Sequence, residues 1–197
     1  MNDTTDTETK TGLRCYFAFR SPYSRLGLHK LARAGFDGDL ILFTGPPDDA
    51  PFNDPTANKY KLAYYQQDVF RMTVRMGLPL ALPDPFDPDY RLANLSFLAA
   101  QHAGKGLAYA LAVSDARWGA GKNISETDVL AEAARSADWT GFDADAINAD
   151  ASLAQVIKDQ RSMIQADGVF GVPFLIEGRN KYWGQDRFDL WQEERAE

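Results

Sequence analysis

Two serines three residues apart, Ser21 and Ser24, stand in the stretch YFAFRSPYSRLGL (residues 16–28), where an apolar run gives way to Ser-Pro. Serine is a preferred N-cap and proline is tolerated at the first helical position, so Ser21 and Pro22 open a helix. A hydroxyl there sits among unpaired backbone N–H groups at the positive end of the helix dipole. Such a place stabilises an anion, including a thiolate carried in by a ligand. The plainer role for Ser21 is a helix cap with no chemistry. Ser24, one turn on, can donate a second hydrogen bond or simply face solvent.

Two further motifs lie near the C-terminus. In GVFGVP (168–173) a pair of glycines precedes a strand that opens with Val172-Pro173. Proline is ordinary at the start of an edge strand; the sharper reading is a cis bond, found in about 5–6% of X–Pro bonds. In WGQDR (183–187) Asp186 can cap the last helix, leaving neighbouring N–H groups to hold a carboxylate and its own oxygens to take an ammonium. The simpler reading is a cap followed by a surface arginine, Arg187. The chain has one cysteine, Cys15, and two histidines, His29 and His102, which form no metal-ligand constellation. Each histidine reads as a helix-surface or core residue.

The elements that position these residues follow from hydrophobic period. RCYFAF (14–19) and DLILF (39–43) read as buried strands flanking a helix that stops near Gly35 and turns Leu28, Leu31 and Ala32 to one face. TGPPDDAPFNDP (44–55) is a proline-rich loop. From about Thr56 the period becomes helical, with helices over ANKYKLAYYQQDVFRMTVRMG, 90–102, 106–118, 126–137 and 153–166. Ser125 and Asp128 have the spacing of a capping box. After Gly168, VPFLIE and KYW read as a hairpin around GRN, and a closing helix follows. The economical organisation is a polar, disordered tail over 1–12, a mixed sheet from 13–56 and 167–197, and a helical insertion over 57–166.

Composition narrows the function. A chain of 197 residues, 45% hydrophobic, has room for a sizeable core. A net charge of −7 without a basic stripe argues against nucleic acid as a partner. The N-terminus lacks the basic and apolar regions of a signal peptide, and no apolar run approaches a membrane span. With a single cysteine, the expectation is a reducing, cytoplasmic compartment.

Taken together, SPYS after an apolar strand and GVFGVP…WGQDR at the end resemble the 2-hydroxychromene-2-carboxylate isomerases and kappa-class glutathione transferases. The resemblance spans about residues 14–191. It implies an α/β fold, a DsbA-like thioredoxin-like mixed sheet with a large all-helical insertion, in which SPYS replaces a CxxC redox pair. It also implies a glutathione-dependent isomerase with a small aromatic substrate and a homodimeric assembly. Carried over by position, Ser21 is the catalytic serine that hydrogen-bonds the glutathione sulfur. Asn53 lies near the site, and Lys61 helps to hold glutathione. Val172, before Pro173, pairs its backbone with the cysteinyl unit, Gln185 and Asp186 take the γ-glutamyl end, and Arg187 accompanies them. Ala18 stands where many relatives have an aspartate. The implied reaction interconverts 2-hydroxychromene-2-carboxylate and trans-o-hydroxybenzylidenepyruvate by covalent catalysis with an imported thiolate. The rivals are a kappa-type transferase or peroxidase and a non-catalytic thioredoxin-like binding protein.

Overall fold

The computed structural model describes residues 12–50 and 57–196. Residues 1–11 of the expected tail over 1–12, and Asn53, lie outside the described residues. Four strands form one sheet: β1 (Leu13–Phe17), β2 (Asp39–Leu42), β3 (Phe174–Glu177) and β4 (Asn180–Trp183), in the order β2-β1-β3-β4. β1 runs parallel to β2 and antiparallel to β3, and β3 pairs antiparallel with β4. The sheet is therefore mixed, as the fold class requires. β1 and β2 are joined by α1 (Pro22–Arg33), because a parallel pair needs a crossover.

Both faces of the sheet are covered, which explains why its strands read as nearly continuous apolar runs. Alternation splits them cleanly. Leu13, Cys15, Phe17, Leu40, Leu42 and Leu175 join the main core with Leu28 and Leu31 of α1. Tyr16, Ile41, Phe174 and Ile176 pack on the other side with Ile164 and Val169. Ala32 does not join the apolar face of α1 and is exposed, so the buried stripe of that helix is narrower than its sequence suggests.

Between β2 and β3 the regular elements of the described chain are all helices: α2 (Lys59–Arg75), α3 (Arg91–His102), α4 (Gly106–Trp118), α5 (Thr127–Ser136), α6 (Ala144–Ala149) and α7 (Ala151–Asp167). α8 (Arg187–Ala196) closes the chain. The six-residue α6 was not legible in the periodicity; its start is fixed by Asp143, whose Oδ1 accepts from Asp145 N and Ala146 N. The expected capping box at Ser125 does not form. Glu126 flanks α5 without a side-chain cap bond, and Ser125 instead donates its hydroxyl to Asn123 Oδ1 at 2.7 Å. Asn123 also accepts from Ser125 N, an Asx turn that competes with the cap.

α7 serves the sheet. Gln160 Oε1 accepts from Leu42 N at 3.1 Å, and Arg14 donates twice to Asp167 at 2.6 Å. Tyr16 adds a third bond to the same carboxylate. Burial would raise the Asp167 carboxyl, but Arg14 and Tyr16 outweigh it and hold it below the usual carboxylate range.

Candidate active site

The junction between β1 and α1 is locked by three short-range bonds. Ser21 N donates to Ala18 O at 3.0 Å, Ser24 N donates to Ser21 Oγ at 3.1 Å, and Ala18 N donates to Ser24 Oγ at 3.2 Å. Ser24 is fully buried, so it faces neither solvent nor a ligand. Ser21 is half-buried, and its hydroxyl proton has no acceptor among the described residues. Pro22 takes the first helical position, and no acidic side chain stands in the first turn to offset the dipole. The end of α1 is thus a site for an anion, with one spare hydroxyl donor.

The Val172–Pro173 bond is cis, and Asp84–Pro85 is a second cis bond. Pro173 reaches α1 at Gly27, where an added Cβ would lie 3.1 Å from the proline ring and 3.0 Å from the Phe188 ring of α8. A side chain at this position would crowd the meeting of the three segments. Gly184 N then donates to Pro173 O at 2.9 Å, and Arg187 N donates to Gly184 O at 3.1 Å. These contacts tie WGQDR to the proline loop, and the proline loop to the helix that Ser21 caps.

Within WGQDR the side chains diverge. Gln185 is buried to 4% exposure, and its Oε1 has no hydrogen-bond partner among the described residues. Asp186 directly precedes α8 and lies against Gly184, whose φ of +95° suits glycine. Asp186 and Arg187 are both exposed, 3.7 Å apart. Val172 is half-buried and packs against the sheet cluster of Tyr16 and Phe174.

Lys61 lies on the exposed side of α2, its backbone N–H donating to the N-cap Asn58. That helix is fastened to the start of α1 by Tyr23, which donates to Asp68 Oδ2 at 2.5 Å and meets the Tyr65 ring edge-on at 5.2 Å. Burial and the Asp68 bond push the Tyr23 hydroxyl well above its ordinary value. Lys61 stands two helical turns, about 10 Å of axis, before Asp68. The structure thus ties the Gly184–Gln185 turn to the Pro173 loop and that loop to α1 at Gly27, six residues on from Ser21, and sets Lys61 on the helix fastened to the start of α1.

Sequence reasoning passed over two buried arginines beside this junction. Arg25, on α1, donates Nε to Asp115 Oδ1 at 2.6 Å and Nη1 to Pro79 O at 2.7 Å. His29 Nε2 lies 2.8 Å from the same Asp115 oxygen. Burial would raise Asp115, but its bonds with His29 and Arg25 hold it below the usual range. Arg117, on α4, bonds to Phe86 O and to Tyr90 OH through Nη2. A charged residue on an otherwise apolar helix face was the available signal for each.

Comparison with known proteins fits this arrangement. Residues 13–195 match the DSBA-like thioredoxin domain family. A curated 2-hydroxychromene-2-carboxylate isomerase from Pseudomonas putida is 27% identical over 184 residues, covering 87% of this chain and 88% of its own. A solved 2-hydroxychromene-2-carboxylate isomerase superposes with a TM-score of 0.74 at 24% identity, over 93% of this chain and 94% of its own. The cytosolic disulfide reductase DsbM from Pseudomonas aeruginosa, solved with GSH, superposes with a TM-score of 0.65 at 20% identity, over 93% and 96%. No described helix is long and apolar enough to cross a membrane.

Proposed function

The chain belongs to the DsbA-like thioredoxin family, and we propose that within it the protein is a glutathione-dependent isomerase of the 2-hydroxychromene-2-carboxylate type. The observation that carries this reading is the state of Ser21. Its oxygen is held by Ser24 N at a helix end without a compensating acid, and its proton is left to donate. A CxxC enzyme supplies its own thiolate, whereas this junction supplies a donor for one brought in.

The residues present fit glutathione. The buried, unpartnered Oε1 of Gln185 is an acceptor awaiting an N–H group, which the γ-glutamyl ammonium provides. Asp186 lies beside it with a carboxylate for the same charge, and the Val172 backbone stands at the proline loop for a peptide-like ligand. Lys61 supplies a cation for a carboxylate of the tripeptide, and Arg187 and Asn53 complete the proposed set. When bound, glutathione supplies a thiolate nucleophile that adds reversibly to a conjugated carbon and is returned unchanged. Ser21 keeps that sulfur charged near neutral pH, because a hydrogen bond to the charged form lowers its pKa. The isomerase names among the curated relatives, and the disulfide reductase solved with GSH, support the reading.

The test is turnover of 2-hydroxychromene-2-carboxylate with and without glutathione, with free thiol titrated before and after. Isomerisation that needs glutathione while the thiol count stays constant is expected. Loss of thiol in proportion to product makes the protein a transferase, and turnover independent of glutathione contradicts the reading.

A further inference from the structure

Resting on the aromatic-carboxylate reading above, we propose that Arg117 is a specificity-determining anion site that receives the substrate's carboxylate beside the Ser21 junction. Arg117 is 0% exposed. A guanidinium carries five N–H donors, and only those of Nη2 find partners, the carbonyl of Phe86 and the hydroxyl of Tyr90 at 2.8 Å. Nε and Nη1 are buried with no hydrogen-bond partner, and Arg117 makes no ion pair among the described residues. A water can satisfy an N–H group but cannot neutralise the charge, and the carboxylate that acts on Arg117 from a distance, Asp87, is exposed and paired directly with Arg20. An anion is the chemistry that relieves the charge.

The surroundings specify which anion. The guanidinium lies 5.2 Å from the Tyr90 ring centre and 4.8 Å from that of Trp118, so aromatic walls hold it. Trp118 Nε1 donates to Phe19 O at 2.9 Å, two residues before Ser21, which places this cation behind the wall of the junction. The next ion pair out, Arg20 with Asp87 at 2.9 Å, is well exposed on both sides and spends its charges on each other. Phe86 offers its carbonyl to Arg117 and meets Trp118 edge-on at 6.2 Å, yet is itself 50% exposed in a segment that is neither helix nor strand. A shift of this segment would free Nη2 from that carbonyl. A flat aromatic ring carrying a carboxylate matches both the walls and the charge. Burial lowers Arg117 from its ordinary value, in keeping with a cation short of counter-charge.

The experiment uses salicylate as probe, with neutral salicylamide as its isostere, titrated calorimetrically into the full chain without glutathione. Salicylate should bind wild type at least tenfold more tightly than salicylamide does. Arg117→Met should lose at least tenfold in salicylate affinity while salicylamide is unaffected, and Arg117→Lys should recover part of the loss. Arg20→Gln should change little. The proposal is overturned if wild type does not bind salicylate, or binds both probes alike. It is overturned equally if Arg117→Met binds salicylate as wild type does, or if Arg20→Gln is the variant that loses it. If Arg117→Met does not fold, equal binding of the two probes by wild type still overturns the proposal, and Arg117→Lys locates the site: salicylate affinity unchanged in that variant overturns it too. Because neither glutathione nor turnover enters, a failed isomerase assay and a failed Arg117 site give separate results.

Discussion

Arg25 and Arg117 are buried alike, at 1% and 0% exposure, and their neighbouring helices α1 and α4 pack against each other. They differ in what faces them. Arg25 has a carboxylate at 2.6 Å and shares it with His29, whereas Arg117 has a carbonyl, a hydroxyl and two aromatic rings. A buried cation with its counter-charge belongs to the fold; a buried cation without one points to a ligand. The two serines differ in exposure: each oxygen accepts one backbone N–H, but Ser24 is fully buried, whereas Ser21 is half-buried and its hydroxyl proton is within reach of a ligand.

The largest effect that sharpens this contrast is Asp115→Ala. Breaking a fully buried pair costs about 3–5 kcal/mol, but Asp115 keeps 41% exposure, so screening reduces the cost to about 2–3 kcal/mol. A urea titration should show that loss, while Arg117→Met should lose less, since it strands the Phe86 carbonyl and the Tyr90 hydroxyl but no charge. Equal losses in both variants would erase the distinction between the arginines.

The serines come next. Ser24→Ala leaves the part-buried Ala18 N–H without its acceptor and empties a fully buried position, together worth about 1–3 kcal/mol. Ser21→Ala loses a helix cap, worth about 1 kcal/mol. Denaturation should therefore rank Ser24→Ala as the less stable variant, and the reverse order would assign the structural role to Ser21.

The smallest effect is on the acid limb. The Asp115 carboxyl is held below its ordinary value of 3.8, so its contribution is complete above pH 3.8 and is lost as pH falls from there through the depressed folded value. Asp115→Asn should flatten the fall of stability below pH 3.8. Asp167, shifted in the same direction, retains its own share of the slope. An acid limb identical to wild type would show that the Arg25 side of the comparison contributes nothing electrostatic.

Much of the frame was legible in the sequence because local chemistry writes it. Ser21-Pro22 announces a helix start, the apolar runs of β1 and β2 announce strands buried on both faces, and Gly168, at φ +64°, ends α7 where the period changes. What escaped was carried by contacts distant in sequence. Asp115 is 90 residues from Arg25, and Gln160 of α7 is 118 residues from the strand it supports. The proposed seam at 166/167 follows the change of period, yet the last helix before it packs on the sheet, a partnership that no periodicity records. The solvent-facing alternative for Ser24 fails because the residue is fully buried and a backbone N–H from six residues earlier claims its oxygen.

The central claim, that Ser21 holds an imported thiolate, is tested most directly by the ultraviolet absorbance of bound glutathione against pH. A hydrogen bond to a charged group is worth about 1.5–3 kcal/mol, so Ser21→Ala should raise the thiol pKa by roughly one to two units at 1.36 kcal/mol per unit. Activity near neutral pH should fall at least about tenfold, and glutathione affinity should fall less, because Lys61, Gln185 and Asp186 are proposed to hold the rest of the tripeptide. Ser24→Ala should leave the titration where wild type has it. A titration unmoved by Ser21→Ala, or moved by Ser24→Ala alone, contradicts the account.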